Sequence, residues 1–137
     1  MPVEFIVKEQ DGYYECRYIG AIADQEHLNK WQEFYDSGNW NPGFLEFMNL
    51  SALGAAEFTP SGLQKVAEYR RKIHRQIGIR QSYLVLAPTS LGFGISRMYL
   101  TYCDATPEDA VYVYSIEDAH NFLANYAANA AQVKKSG

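Results

Sequence analysis

Two short runs of almost uninterrupted apolar residues constrain the fold more than any other feature of this sequence. Residues 44–50 read Phe-Leu-Glu-Phe-Met-Asn-Leu, and residues 82–87 read Ser-Tyr-Leu-Val-Leu-Ala. Strands covered on both faces have this pattern, whereas a strand with one face in water alternates between apolar and polar residues. Signals for the start of a helix follow each run, so the sequence predicts parallel strands that alternate with helices.

The N-terminal part of the chain predicts a hairpin and then a helix. Residues 3–8 and 13–19 alternate in polarity, which is typical of strands with one face in water. The dipeptide Asp11-Gly12 lies between them and favours a tight turn. Asp24 is expected to cap the following helix through its carboxylate. That helix is predicted to bury a stripe formed by Leu28, Trp31 and Tyr35.

Two further helices are expected to follow the apolar runs. In the first, Thr59 is the predicted cap, Pro60 occupies the first turn and Gly78 ends the helix. The second runs from about Ser90 to Cys103. The inner face of the first is predicted to contain Leu63, Val66, Ala67, Ile73 and Ile77.

A short strand at residues 111–114 and a helix after Ser115 complete the order ββαβαβαβα. The sequence thus predicts one α/β domain over residues 1–131, with a mixed, mostly parallel sheet and helices packed on it. Residues 132–137 are expected to form a flexible tail. The sheet core is predicted to contain Leu84 and Leu86 together with Leu45 or Phe47.

Charge and composition argue against several classes of protein function. The net charge of −4 argues against a nucleic-acid binder, because phosphate binding needs clustered cations. No apolar run approaches the roughly 20 residues that cross a bilayer, and no leader pattern is present, so we expect a cytoplasmic protein without a transmembrane segment. Cys16 and Cys103 are expected to be reduced thiols. Neither lies in a metal-ligand spacing, so no metal or cofactor is expected.

Four segments of the chain are similar to segments of a known family: residues 48–51, residues 58–63, the motif Leu-Ala-Pro-Thr-Ser-Leu-Gly-Phe-Gly-Ile-Ser-Arg-Met-Tyr at 86–99 and residues 111–123. They resemble the SpoIIAA-like family, a branch of STAS and STAS/SEC14-like domains. The resemblance implies a small mixed sheet with packed helices. STAS domains typically act as protein-binding switches, often as anti-anti-sigma factors, so the resemblance implies a non-catalytic regulatory or protein-interaction module.

The helix start at residues 59–62 departs from the pattern of anti-anti-sigma factors. Those proteins place an Asp and then a phosphorylated Ser where this chain has Thr59 and Pro60. Only Ser61 and Gly62 keep the pattern. Because proline cannot be phosphorylated, the usual serine switch is not expected, and cap and first-turn roles explain Thr59 and Ser61 without regulation.

A candidate anion or partner patch follows from the predicted parallel strands. The carboxyl ends of parallel strands share one edge, and ligands of such sheets gather there. Two helix N-termini would then converge, and both favour negative charge. The alternative is that the hydroxyls only cap helices and that the glycines only allow close packing. The patch residues are Ser51, Thr59, Ser61, Gly62, Thr89, Ser90, Gly92, Gly94 and Arg97.

The remaining polar residues give no recognisable catalytic motif. The histidines are far apart in sequence, and no nucleophile or phosphate-loop signature is present. The main basic cluster is interpreted as a solvated helix end, with an acidic partner site as the alternative. The histidines are His27, His74 and His120, and the basic cluster is Arg70, Arg71, Lys72, His74, Arg75 and Arg80.

Three hypotheses of function remain. The leading one is a protein-interaction module that uses the loop at residues 51–58 and the helix start at 59–63. The second is a domain that binds a small apolar ligand or lipid between helices, suggested by the SEC14-like side of the resemblance. The third, an enzyme acting on an anionic substrate at residues 89–97, has a predicted anion cradle but no general base or nucleophile. The sequence also leaves a homodimer open.

Overall fold

The computed structural model describes residues 3–54 and 57–136, with side chains up to residue 129. Its elements confirm the predicted order ββαβαβαβα. The strands are Val3–Lys8 (β1), Tyr13–Gly20 (β2), Leu45–Leu53 (β3), Tyr83–Leu86 (β4) and Ala110–Val113 (β5). The helices are Asp24–Asp36 (α1), Pro60–Ile77 (α2), Ser90–Tyr102 (α3) and Ile116–Ser136 (α4), with short 3₁₀ turns at Glu9–Asp11 and Pro107–Asp109.

The five strands form one sheet in the order β1-β2-β3-β4-β5. The opening hairpin pairs β1 antiparallel to β2. Each later strand is parallel to its neighbour, because a helix carries the chain back across the sheet before each of them. The mixed, mostly parallel α/β sheet that the sequence predicts is therefore confirmed.

Helices cover both faces of this sheet, and each face has its own core. The larger core lies between the sheet and α1, α2 and α3, and the smaller one lies between the sheet and α4. Side chains along β3 alternate between them: Met48 and Leu50 belong to the larger core, whereas Phe47 belongs to the smaller. Leu45 and Phe47 pack with Leu84 and Leu86, as predicted.

Local signals set the ends of the helices. The hydroxyls of Thr59 and Thr89 accept hydrogen bonds from the amides of Gly62 and Gly92, so both threonines are N-caps. Gly78 ends α2 in the left-handed region, with φ of 77°, which a residue without Cβ adopts at little cost. The backbone of α4 stays helical to Ser136, so flexibility of residues 132–137 stays a prediction.

The inner face of α2 differs from the prediction at one end. Leu63, Val66 and Ala67 are buried as expected, but Ile77 is 49% exposed. Arg70 takes the inward position on that stripe and is fully buried. The reason lies in the helix geometry: positions 63, 66, 67 and 70 share one face, whatever their chemistry.

Candidate functional site

The structure brings the starts of α2 and α3 to one edge of the sheet. Because β3 and β4 are parallel neighbours, the loops after Leu53 and Leu86 leave the sheet at the same edge. Both helices pack in the larger core. Near their starts, Leu63 of α2 and Ile95 of α3 line the same small cavity, of about 10 Å³. The two helix N-termini therefore lie at a common edge, as the sequence predicts.

The start of α2 is occupied by a side chain from α1. The carboxylate of Asp24 accepts hydrogen bonds from the backbone amide of Thr59 at 3.0 Å and from its hydroxyl at 2.6 Å. Gly62 lies against the same carboxylate, since a Cβ at Gly62 would come within 1.9 Å of Cγ of Asp24. A carboxylate suits this place because the N-terminal end of a helix is partially positive. The anion position predicted at α2 is thus filled by the chain itself.

This contact corrects the role predicted for Asp24. The N-cap of α1 is Ala23, and no side chain caps that helix, because the Asp24 carboxylate is directed to α2. Ser61 is exposed beside the contact, with its Oγ at 3.3 Å from the Thr59 hydroxyl. Residues 55–56 of the loop proposed as a recognition surface lie outside the described residues.

Ser51 is separated from the other patch residues. β3 continues to Leu53, so Ser51 is inside the strand rather than in the loop that was predicted to begin there. β3 has one extra residue relative to β2 between Asn49 and Ala52, so the hydrogen bonds of Ser51, rather than strict alternation, show which face it is on. Its hydroxyl donates to Oδ1 of Asn49 at 2.7 Å, and the Asn49 side-chain amide donates to Glu15 on the face of the sheet opposite Met48 and Leu50. Placing Ser51 in the shared patch was wrong.

The start of α3 has the same cap as α2. Thr89 accepts from the amide of Gly92 at 3.1 Å, and the amide of Phe93 bonds to the Thr89 carbonyl at 3.0 Å. The amides of Ser90 and Leu91 precede the first intrahelical hydrogen bond, so they have no acceptor within the helix. Among the described side chains, no carboxylate accepts a hydrogen bond from this turn.

An open groove of about 270 Å³ lies beside this helix start. Tyr114, which lines it, is 59% exposed. Two apolar residues close in sequence to its lining residues are also exposed, Leu91 at 48% and Ile116 at 49%. The ring of Phe93 forms part of its wall, and the ring centroids of Phe93 and Tyr114 are 6.1 Å apart. We call this feature the α3 groove, and it is lined by Ala87, Pro88, Thr89, Ser90, Phe93 and Tyr114.

Arg97 supplies a cation near the α3 groove. Its guanidinium carbon lies 5.6 Å from the centroid of the Phe93 ring, and the side chain is exposed. The two glycines of the motif differ in their surroundings. A Cβ at Gly92 would meet the Thr89 hydroxyl at 3.3 Å and Cβ of Leu50 at 3.6 Å, whereas a Cβ at Gly94 would meet nothing within 4 Å. Close helix-to-sheet packing thus explains Gly92 but not Gly94.

A buried ion pair that the sequence analysis did not predict lies near the opposite edge of the sheet, where β3 begins. The guanidinium of Arg70 bonds to the carboxylate of Glu46, and both side chains are fully buried. Arg70 also donates to the hydroxyls of Tyr99 at 2.8 Å and Tyr35 at 3.0 Å. Its guanidinium stacks 3.6 Å from the centroid of the Trp31 ring. These partners satisfy the donors of a charge that would otherwise be very costly to bury.

Two signals in the sequence point to this pair. Glu46 interrupts an otherwise apolar strand, and Arg70 falls three residues after Ala67 on the inner stripe of α2. Assigning Arg70 to a solvated basic cluster was therefore wrong. The rest of that cluster lies nearer the surface, where Arg71 and Arg75 pair with Asp104 and Arg80 pairs with Asp109.

Burial shifts the titration of the thiols and of two histidines. It raises the pKa of the Cys16 thiol well above its usual value and that of Cys103 to about 11. Burial, with the charge of Arg70, lowers the pKa of His27 to about 3 and that of His74 to about 4. The thiols and imidazoles of these residues are therefore neutral near pH 7, and His27 is held by the hydroxyl of Tyr18 at 2.8 Å.

Within residues 3–54 and 57–136, no helix is long and apolar enough to cross a membrane. In that part of the chain, no three His, Cys, Asp or Glu side chains cluster in a way that could hold a metal ion.

Comparison with known proteins identifies the fold. No protein-family profile matches the sequence, and no curated protein matches it. One solved structure, an uncharacterized DUF3478-family protein with a SpoIIAA-like fold from Shewanella loihica PV-4, is similar with a TM-score of 0.50. The two chains are 14% identical, and the match covers 88% of this chain and 91% of the other. This chain therefore has a SpoIIAA-like fold.

Proposed function

We propose that this chain is a non-catalytic, STAS-like binding module that takes up a segment of a protein partner in the α3 groove. The observation that carries the proposal is the gathering of exposed apolar side chains around an unoccupied helix start. Tyr114 lines the groove, Leu91 follows its lining residue Ser90 in sequence, and Ile116 lies two residues after Tyr114. All three are about half exposed. Apolar patches of this kind on a folded domain commonly mark interaction sites.

The electrostatics of the groove favour a partner with a carboxylate. The free amides of Ser90 and Leu91 and the positive end of the α3 dipole attract an anion. Arg97 adds a full positive charge beside Phe93. A segment with an acidic residue next to apolar residues would therefore match both parts of the groove. The start of α2 offers less, because Asp24 already holds the corresponding position there.

The Asp24 contact also supports the absence of the usual phosphorylation switch. A phosphate on Thr59 would stand against the carboxylate of Asp24, which accepts from the Thr59 hydroxyl at 2.6 Å. Two anionic groups at that distance repel each other, and because the contact is exposed, water reduces this repulsion.

The cysteines and histidines that could act as a nucleophile or a base give little support for a catalytic role. The Cys16 and Cys103 thiols are protonated and buried or partly buried, and a nucleophilic cysteine needs an accessible thiolate. His27 is enclosed by Tyr18 and the rings around it. The small-ligand hypothesis is also less supported, because the cavity between α2 and α3 holds about 10 Å³, close to the size of one water molecule.

Selection of short random peptides on the immobilised protein tests the proposal. We expect selected peptides to carry Asp or Glu beside apolar residues. Their affinity should fall about tenfold, or 1.4 kcal/mol, in Leu91→Ser and in Arg97→Ala. The matched controls are Ile77→Ser, an equally exposed apolar residue on α2, and Lys65→Ala, an exposed cation on α2.

Two results would overturn the proposal. One is a set of peptides that binds wild type, Leu91→Ser and Arg97→Ala equally well. The other is selection that yields no binder above the level obtained with unrelated protein. Circular dichroism of each variant shows that the fold is retained.

A further inference from the structure

The two edge strands of the sheet differ in how well they are protected from pairing with another strand. β1 reads Val-Glu-Phe-Ile-Val-Lys, and the charges of Glu4 and Lys8 discourage a further strand. β5 reads Ala-Val-Tyr-Val and carries no charge or proline. It is the last strand of the sheet, and no strand of the described residues pairs with its outer side. We propose that β5 pairs antiparallel with β5 of a second copy of this chain.

The backbone of β5 has free groups on its outer side. The carbonyl of Val113 accepts from the amide of Ala87 at 3.0 Å, so Val113 bonds inward to the chain that follows β4. In a parallel ladder, alternate residues direct both the N–H and the C=O to the same neighbour. Val111 therefore also bonds inward. Within the strand, Ala110 and Tyr112 direct their amides and carbonyls away from β4.

A two-fold axis at Tyr112 satisfies these free groups. Tyr112 would exchange two hydrogen bonds with Tyr112 of the second copy, and Ala110 would face Tyr114 of the second copy. Antiparallel pairing about a two-fold axis is self-complementary, because each donor meets the acceptor of the same residue type in the other chain.

The side chains of β5 agree with a second copy as the occupant. In this register Val111 faces Val113 of the second copy on the α4 side of the sheet, where Val111 is 42% exposed. Apolar β-branched residues opposite each other stabilise antiparallel pairs. The charge at the end of the strand is already compensated, since Asp109 is bonded to Arg80. A charged partner segment would find no complementary charge along β5, whereas a second copy needs none.

Because β5 is short, we expect the dimer to be weak. Four residues give few hydrogen bonds, so we expect a reversible dimer whose population rises with concentration rather than a permanent one. The pairing does not rest on the proposed function. It uses the lateral edge of the sheet, whereas the changes that test the α3 groove are at Leu91 and Arg97. Tyr114 is common to both surfaces, since it lines the groove and follows β5.

Sedimentation velocity over a series of protein concentrations tests the inference. Wild type should shift from the monomer mass toward the dimer mass as concentration rises. Val111→Lys should remain monomeric at every concentration, because it places a charge opposite an apolar residue of the second copy. Ile77→Lys, which places the same charge at a similarly exposed apolar residue on α2, should dimerise as wild type does. A wild type that stays monomeric throughout, or a Val111→Lys variant that dimerises normally, overturns the inference.

Disulfide trapping tests the register. Val111→Cys and Val113→Cys chains should cross-link when mixed under mild oxidation, because these positions face each other across the pair. Either variant alone should cross-link at least several-fold more slowly. A dimer that forms without cross-linking in the mixture overturns antiparallel β5 pairing. If Val111→Lys is monomeric and still binds the selected peptides, then dimerisation through β5 and peptide binding in the α3 groove are independent of each other.

Discussion

The starts of α2 and α3 have the same local chemistry and different surroundings. In each, a threonine hydroxyl accepts from the amide of a glycine three residues later, at 3.0 Å in α2 and 3.1 Å in α3. Both lie at the same edge of the sheet. Yet the carboxylate of Asp24 occupies the α2 start, whereas the α3 start opens on a groove. A capping motif therefore predicts where a helix begins, but not whether the anion position at its end is available.

The two helices also differ in how they are anchored. α2 is bonded to α1 through Asp24 and to β3 through the Arg70–Glu46 pair. For α3, Tyr99 accepts a hydrogen bond from Arg70, and no ion pair among the described residues joins α3 to another element. Apolar contacts hold the rest of it, including the approach of Gly92 to Leu50. Polar groups thus tie α2 to α1 and β3, whereas the start of α3 has only its own Thr89 cap among the described side chains.

The largest expected effect is loss of the buried ion pair. Arg70→Met leaves the carboxylate of Glu46 buried without its cation, and we expect a loss of about 3–5 kcal/mol in the free energy of unfolding. The matched change on the other helix, Arg97→Met, should alter it by less than about 0.5 kcal/mol because Arg97 is exposed. Urea denaturation measures both. Equal costs would mean that the two helices are not anchored differently.

The two caps should differ in their contribution to stability. Thr89→Ala removes one cap and should cost about 1 kcal/mol. Thr59→Ala removes the same cap and also the hydroxyl that donates to Asp24, so it should cost about 1 kcal/mol more. In an Asp24→Ala background, the two threonine changes should cost the same, and the double-mutant cycle isolates the contact. If the difference persists in that background, Asp24 is not its cause.

Glycine substitutions should have opposite signs on the two helices. Gly62→Ala forces the Asp24 carboxylate away from Thr59, so a net loss of up to about 1 kcal/mol is expected despite the better helix propensity of alanine. Gly94→Ala meets open space and should stabilise by about 0.5–1 kcal/mol. Thermal unfolding checks both signs. Stabilisation by Gly62→Ala in the otherwise wild-type chain would contradict the tight contact.

The smallest effect is replacement of the internal carboxylate by an added anion. In Asp24→Ala, the amide and hydroxyl of Thr59 become available, and sulfate should raise Tm by roughly 1–3 °C more than it does for wild type. Sodium chloride at the same ionic strength is the control. Sulfate that binds at the α3 start raises Tm equally in wild type and in Asp24→Ala. The additional rise in Tm of Asp24→Ala therefore measures sulfate binding at the α2 start. Equal shifts in both proteins would show that Asp24 does not occupy an anion position.

Much of the architecture was predictable because its signals are local. The runs at residues 44–50 and 82–87, the Thr59 and Thr89 caps and Gly78 each lie within or beside the element that they specify. The shared edge of the candidate patch followed from parallel pairing alone. Ser51 was misplaced because β3 runs a few residues beyond its apolar segment, and that extension depends on pairing with Ile19 and Gly20 of β2.

By itself, the sequence determined the order of strands and helices, the mostly parallel sheet and several core residues, such as Leu63, Val66 and Leu84, since periodicity and caps act over a turn or a few strand positions. Only the tertiary structure decided which polar groups are free. Asp24 reaches Thr59 across 35 residues of chain, and Glu46 reaches Arg70 across 24. The sequence pattern indicates that Glu46 and Arg70 face inward, but the packing of α1, α2 and β3 against one another decides which polar groups meet. That packing closes the α2 start and leaves the α3 groove open.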